Sequence, residues 1–291
     1  MLEINRTDLA VERHALRGGE GVSVKKKELE GVEVCELCIE TDEAQMRLEK
    51  PKGRYITLSA PQLLYDTEVY LRMCSLIAES IVRLVGRGGS VLVAGLGNRD
   101  ITPDALGPEV VSRVFVTNHI KAQLEYDFVQ KLGRLSALAP GVLGTTGIET
   151  ASIIRGVVKE QKPDYVIAVD AYAAKSLSRI STTVQISDTG MTPGGGVGNR
   201  RAGINSDTLG VPVIAVGVPT VVDAATLAAD MLGDEDEQHI RERLGERAGG
   251  LVVTPKDIDL VIDRSAKTVA NGINLAAHPN LTIEEIESYV G

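Results

Sequence analysis

The 291-residue chain has no tryptophan, two phenylalanines and seven tyrosines. A core without large rings must be aliphatic, and hydrophobic residues at 43% of the chain are enough to build a sizeable one. Cysteine is also scarce: three residues, an odd count, exclude a disulfide framework. Cys35 and Cys38 form a CxxC, yet the surrounding EVCELCIE alternates like a strand. Their spacing places the two side chains on opposite faces, and no second pair or nearby histidine completes a zinc site, so the pair reads as structural. Long apolar runs are missing as well. The stretch Val211–Val218 falls far short of the roughly 20 residues that span a bilayer. The opening MLEINRTDLAVERH lacks the apolar segment of a signal peptide, so a cytoplasmic protein with no membrane partner is expected. A net charge of −9 removes the basic face that a nucleic-acid binder needs.

What is present is a rhythm of apolar strands and amphipathic helices. Residues 1–20 are polar and charged and read as a mobile arm. Residues 21–60 form a β-rich region, including Gly31–Ile39 and Arg54–Leu58. Thr67–Leu84 carries Val69, Met73, Leu76, Ile77, Ile81 and Leu84 on one helical side, and Gly86, Gly88 and Gly89 end it. Three buried-strand runs follow: Ser90–Ala94, Tyr165–Val169 and Val211–Val218. Helices are expected from about Asp104–Leu106 and over Glu149–Glu160. Thr254 reads as the N-cap of a last long helix reaching about Leu275. Residues 234–250 read as an exposed connection. Continuous Val/Ile runs alternating with helices imply an α/β fold, a mostly parallel twisted sheet with helices on both faces.

In such a sheet, sites form beyond the carboxyl ends of the strands, and three loops there are unusual. The first, Gly95 to Pro108, has glycines but neither a complete GxGxxG nor a following GK(S/T), so nucleotide binding has little support. Within it Asp104 sits just after Pro103, where capping is the bland role, but the loop is long for a cap alone. The second places Asp170 at the end of an apolar strand, where a buried carboxylate either caps a turn or does chemistry. Two neighbouring carboxylates cannot both ionise easily. One keeps a proton while its partner activates water. The third loop, Met191 to Arg201, has a glycine run that could bind an anion through its amides, act as a flap, or lie against an extended peptide. GxSxG and HExxH are absent, and His14, His119, His239 and His278 are scattered outside these loops, so Ser-His, Cys-His and zinc hydrolysis lack support. Two alternatives remain: a metal held by Asp104, Asp170 and Glu149, and a phosphate or nucleoside binder using Gly95, Gly97 and the 194–198 loop.

The stretches RTDLAVE (Arg6–Glu12), AGLGNRDITPDALGP (Ala94–Pro108) and APGVLGTTGIET (Ala139–Thr150) occur in order along the chain. KPDYVIAVDAYAAKS (Lys162–Ser176), TTVQISDTGMTPGGGVGNRR (Thr182–Arg201), DTLGVPVIAVGVPTVVDAATLA (Asp207–Ala228) and VTPKDID (Val253–Asp259) follow them. Together they resemble the germination proteases of spore-forming bacteria. The resemblance implies an atypical aspartic endopeptidase, without cofactor or metal, that degrades small acid-soluble spore proteins in the spore core. It also implies a homotetramer, made as a zymogen that cleaves itself, with a fold like that of the hydrogenase maturation proteases and a β-rich N-terminal addition. The family's catalytic aspartates map onto Asp104 and Asp170. On the same basis Gly95, Gly97, Asn98, Gly194, Gly195 and Gly196 are expected to bind substrate. Family substrates are cut after the acidic residue of a T-E-apolar-A-(S/T)-E segment, a layout matched by Thr7-Asp8-Leu9-Ala10-Val11-Glu12. The resemblance therefore implies a propeptide over residues 1–8, self-cleavage between Asp8 and Leu9, and a single peptidase domain over 9–291. The chain departs from the Bacillus-type pattern in a shortened segment before VTPK and in having only five residues ahead of RTDLAVE.

Overall fold

The computed structural model describes residues 6–120, 132–194, 201–232 and 251–290. The elements, in chain order, are α1 (Ala10–Arg17), β1 (Val22–Leu29), β2 (Val32–Ile39), α2 (Asp42–Leu48), β3 (Gly53–Ser59), α3 (Thr67–Val85), β4 (Ser90–Gly95) and α4 (Leu106–Val111). They continue with β5 (Arg134–Leu138), α5 (Thr150–Gln161), β6 (Tyr165–Ala174), β7 (Thr183–Ser187), β8 (Val213–Asp223), α6 (Ala224–Leu232), β9 (Val252–Val253), α7 (Ile258–Ala277) and α8 (Ile283–Val290).

One sheet, ordered β1-β2-β3-β7-β8-β6-β4-β5, contains all of these strands, with β9 pairing to β8. Its second half is the expected α/β core: β8, β6, β4 and β5 run parallel. The first half is antiparallel throughout, from β1 to β7 and across to β8. The β-rich N-terminal region is thus an extension of the same sheet, joined through β3 and β7. Both faces of the parallel half are covered, as its continuous apolar runs require, while β1 at the far edge is exposed. On one face, Met73, Ile77 and Ile81 of α3 and Ile262, Val269 and Ile273 of α7 close over Val91, Val93, Ile167, Val216 and Ile186. On the other, Ile154 and Val158 of α5 close over Leu92, Val166, Ala168, Val213 and Ala215.

Local signals set most boundaries. Asp66 caps α3 by accepting hydrogen bonds from Glu68 N–H and Val69 N–H, and Gly86, at φ 85°, ends it. Cys35 and Cys38 lie in β2, and burial raises both thiol pKa values above the ordinary range, which leaves them unreactive.

Three expectations are corrected. The N-terminal arm is packed from Arg6 onwards: Thr7, Leu9 and Ala10 are buried and α1 follows at once. Thr254 does not cap the last helix, which starts at Ile258 behind Asp257. Its hydroxyl instead donates to Thr220 O and ties the segment to β8. Asp170 lies inside β6, well before its end, because β8 continues alongside. The register carries Asp170 opposite Gly217 and then passes through a bulge at Tyr172/Ala173 to Val222. The 234–250 connection lies outside the described residues.

Candidate active site

The site sits beyond the end of β4 and alongside the C-terminal halves of β6 and β8. After β4 the chain turns at Gly97, whose φ of 105° favours glycine. A side chain there would also bring its Cβ within 2.0 Å of Asp104 O. Gly95 is tight for a different reason: a Cβ would meet Gly107 O at 2.1 Å. These two glycines fold the loop onto the start of α4. A short 3₁₀ turn, Thr102–Asp104, then delivers the Asp104 carboxylate, which accepts a hydrogen bond from Asn98 N–H at 2.8 Å. Thr220 of β8 locks the turn by donating to Pro103 O.

Asp104 and Asp170 line a single cleft of about 660 Å³. Asp8, Gly97, Asn98, Glu149, Tyr172 and Gly194 share its walls. Gly95 does not reach this cleft. Gly195 and Gly196 lie outside the described residues. Burial raises the Asp104 carboxyl pKa above the usual range, opposed by the Asn98 hydrogen bond. The Asp170 carboxyl is raised well above it, first by burial and then by the negative charges of Asp104 and Asp8. Among the described residues its one hydrogen bond comes from Ala171 N–H at 2.9 Å. Tyr172, two residues on and on the same face of β6, has its phenol pushed up by burial, then by Asp8 and Asp170, against a hydrogen bond with Gln185, and stays neutral.

Asp8 is a third carboxylate that sequence reasoning placed at the processing site but not against the other two. The segment before α1 runs along the end of β6. Asp8 N–H donates to Ala173 O at 2.8 Å, and Ala173 N–H donates back to Asp8 Oδ2 at 3.0 Å. Leu9 is extended (φ −80°, ψ 123°), fully buried, and packs into the apolar cluster of Leu96, Tyr172, Met191 and Ile204. Arg13 Nε donates to Thr7 O, and Leu9 N–H donates to Thr7 Oγ1. Farther along, the buried Glu12 carboxylate accepts from Lys175 N–H at 2.7 Å and Ser176 N–H at 3.0 Å, as well as from the Thr7 hydroxyl. Gln185 of β7 contacts the segment at two points: its Nε2 lies 3.3 Å from Asp8 O, and its Oε1 accepts from Ala10 N–H at 2.7 Å. The segment TTVQISD carries a sequence signal of its own, the alternation Thr183, Gln185, Ser187, a polar row buried on one face of β7.

Among the described residues no group of three or more histidine, cysteine, aspartate or glutamate side chains is arranged to hold a metal ion. Asp104, Asp170 and Glu149 share a cleft without forming a coordination set. No helix among the described residues is long and apolar enough to cross a membrane.

The germination protease family profile matches residues 3–233. This chain belongs to the germination protease family. The germination protease of Clostridium acetobutylicum is 40% identical, covering 98% of this chain and 98% of that one. That of Caldanaerobacter subterraneus subsp. tengcongensis is 45% identical over 97% of this chain and 96% of its own. The Bacillus velezensis germination protease is 38% identical over 98% of this chain and 96% of its own. Among solved structures, the NiFe hydrogenase maturation protease HycI from Thermococcus kodakarensis KOD1 aligns with a TM-score of 0.36 at 18% identity, covering 66% of this chain and 98% of that one. Within the germination protease family the cleft described above is the candidate active site of this member.

Proposed function

We propose that this protein is a spore-germination endopeptidase of atypical aspartic type, with Asp104 and Asp170 as its catalytic pair. Its first substrate is its own Asp8–Leu9 bond. The observation that carries this reading is the docking of that bond, extended, with Asp8 in the cleft that Asp104 and Asp170 line. Proteolysis needs an extended peptide held beside a water-activating group.

The roles follow from the two environments. Each carboxyl accepts one amide hydrogen bond, but Asp170 is the more buried and faces the charges of Asp104 and Asp8, so it takes the proton and Asp104 stays ionised. Ionised Asp104 accepts a proton from water as the water oxygen bonds to the Asp8 carbonyl carbon. Asp170 supplies its proton to the Leu9 nitrogen as the C–N bond breaks. The products are an Asp8 carboxyl and a Leu9 amine, and transfer of the proton from Asp104 back to Asp170 restores the pair. Residues 1–8 are then a propeptide. The family assignment supports small acid-soluble spore proteins as the external substrates, a homotetramer, and action in the spore-core cytoplasm.

The test is mass spectrometry of the purified chain incubated at mildly acidic pH. Wild type is expected to lose residues 1–8, and Asp104→Asn and Asp170→Asn are each expected to remain whole with unchanged circular dichroism. Full cleavage by either variant, or release of a different N-terminal piece, refutes the reading.

A further inference from the structure

We propose that Gln185 is a third catalytic residue, whose side-chain amide binds the carbonyl oxygen of the bond being cut and stabilises the oxyanion that forms there. This rests on the reading of Asp8–Leu9 as the scissile bond.

The geometry starts from the two contacts already given. Gln185 Nε2 donates to Asp8 O at 3.3 Å, and Asp8 O is the carbonyl oxygen of the Asp8–Leu9 peptide. On the far side of Leu9, Ala10 N–H donates to Gln185 Oε1 at 2.7 Å. The backbone contacts fix which end of the amide is which: a peptide N–H needs an acceptor and a carbonyl needs a donor, so only one orientation satisfies both. Glutamine supplies both atoms from one planar group, whereas a carboxylate would lack the donor and an ammonium the acceptor. The side chain therefore straddles Leu9 and holds the scissile carbonyl from the side of β7.

The surroundings make that hold rigid. Gln185 is 2% exposed, between Thr183 and Ser187 on a strand pinned to β3 on one side and β8 on the other. Its partner across the β8 pairing is Gly217, where a Cβ would come within 2.0 Å of the Tyr172 ring. The absence of a side chain there lets Tyr172 lie against the sheet beside Gln185. Burying an amide has a cost unless each end is bonded, and here the docked segment bonds both ends while the Tyr172 phenol is a further partner.

The chemistry follows from where charge develops. When water adds to the Asp8 carbonyl carbon, the carbonyl π electrons move onto Asp8 O, which becomes an alkoxide. A preorganised, buried neutral donor stabilises that charge more than it stabilises the ground-state carbonyl. The 3.3 Å contact shortens as the oxygen becomes anionic, as such contacts do between ground state and transition state. When the C–N bond breaks, the electrons return to re-form the carbonyl, and Gln185 is left unchanged.

The experiment follows first-order loss of residues 1–8 by intact-mass spectrometry in the full chain, alongside hydrogen exchange at Ala10. Gln185→Glu keeps the acceptor for Ala10 N–H but loses the donor. It should slow cleavage about 10²–10³-fold while Ala10 stays protected. Its deficit relative to wild type should narrow as pH falls and the introduced carboxyl gains an O–H. Gln185→Met, near the same size and with neither polar end, should slow cleavage at least as much, with no recovery at low pH. A Gln185→Glu chain that is cut at the wild-type rate overturns the proposal. So does a rate loss in both variants that merely tracks loss of Ala10 protection, since that marks an anchor for the segment. If wild type is never cut between Asp8 and Leu9, the underlying reading fails. If it is cut there and Gln185→Glu is cut equally fast, only the role of Gln185 fails.

Discussion

Replacing Asp170 with asparagine should stabilise the folded chain at neutral pH while abolishing cleavage. In the fold this carboxylate is buried, receives one hydrogen bond, from Ala171 N–H, and faces Asp104 and Asp8. In the unfolded chain an aspartate titrates near pH ~3.9. Folding raises that value, so the folded state holds the proton more tightly. Below the unfolded value both states are protonated and the side chain favours neither. As pH rises, the unfolded chain ionises first, and the wild type loses stability until the pH has passed the folded value. Asparagine keeps the shape and cannot ionise, so its advantage is absent near pH 3.5 and full once the wild-type carboxyl has ionised. The cost of an under-bonded buried charge is about 1–3 kcal/mol or more, which for a chain of this size is a few degrees of melting temperature. Urea denaturation from pH 3.5 to 8 reads the difference directly, on protein whose intact mass shows residues 1–8 still attached. A variant whose stability differs from wild type by the same amount at every pH would refute the reasoning, as would one that is less stable than wild type only at high pH.

Three further outcomes are expected. Gly97→Ala should cost more than about 2 kcal/mol and stop self-cleavage, because positive φ and the 2.0 Å approach to Asp104 O together displace the Asp104 turn; thermal melts and intact mass check both effects. Glu12→Gln removes one acceptor from a buried carboxylate that serves Lys175 N–H, Ser176 N–H and the Thr7 hydroxyl. It should cost about 1–3 kcal/mol and speed hydrogen exchange at residues 175 and 176, and unchanged exchange there would show that α1 is anchored elsewhere. Self-cleavage should quicken as pH falls from 8 towards the raised range of the Asp104–Asp170 pair and slow again once both carry protons. A rate that rises steadily with pH would remove the paired-carboxylate mechanism.

The sequence by itself determined the parallel core and the two carboxylates. Continuous apolar runs at Ser90–Ala94 and Tyr165–Val169 can only be strands buried on both faces, and an aspartate directly after such a run has few inexpensive places to go. The helix over Thr67–Leu84 was equally legible, since its apolar side and its terminating glycines are local signals. Tertiary structure alone decided what surrounds those carboxylates. Strand pairing is a non-local choice: nothing in TTVQISD says that β7 lies between β3 and β8, or that its polar row faces residues more than 170 positions earlier in the chain. The N-terminal segment shows the same limit. Its charges suggested a loose arm, yet Glu12 and Arg13 are satisfied by distant partners, Leu9 is buried with Leu96, Tyr172 and Met191, and Ala10 with Leu37, Leu48 and Tyr55. Residue order thus set the two candidate carboxylates, while the packing of β6 and β7 against one docked peptide bond set what surrounds them.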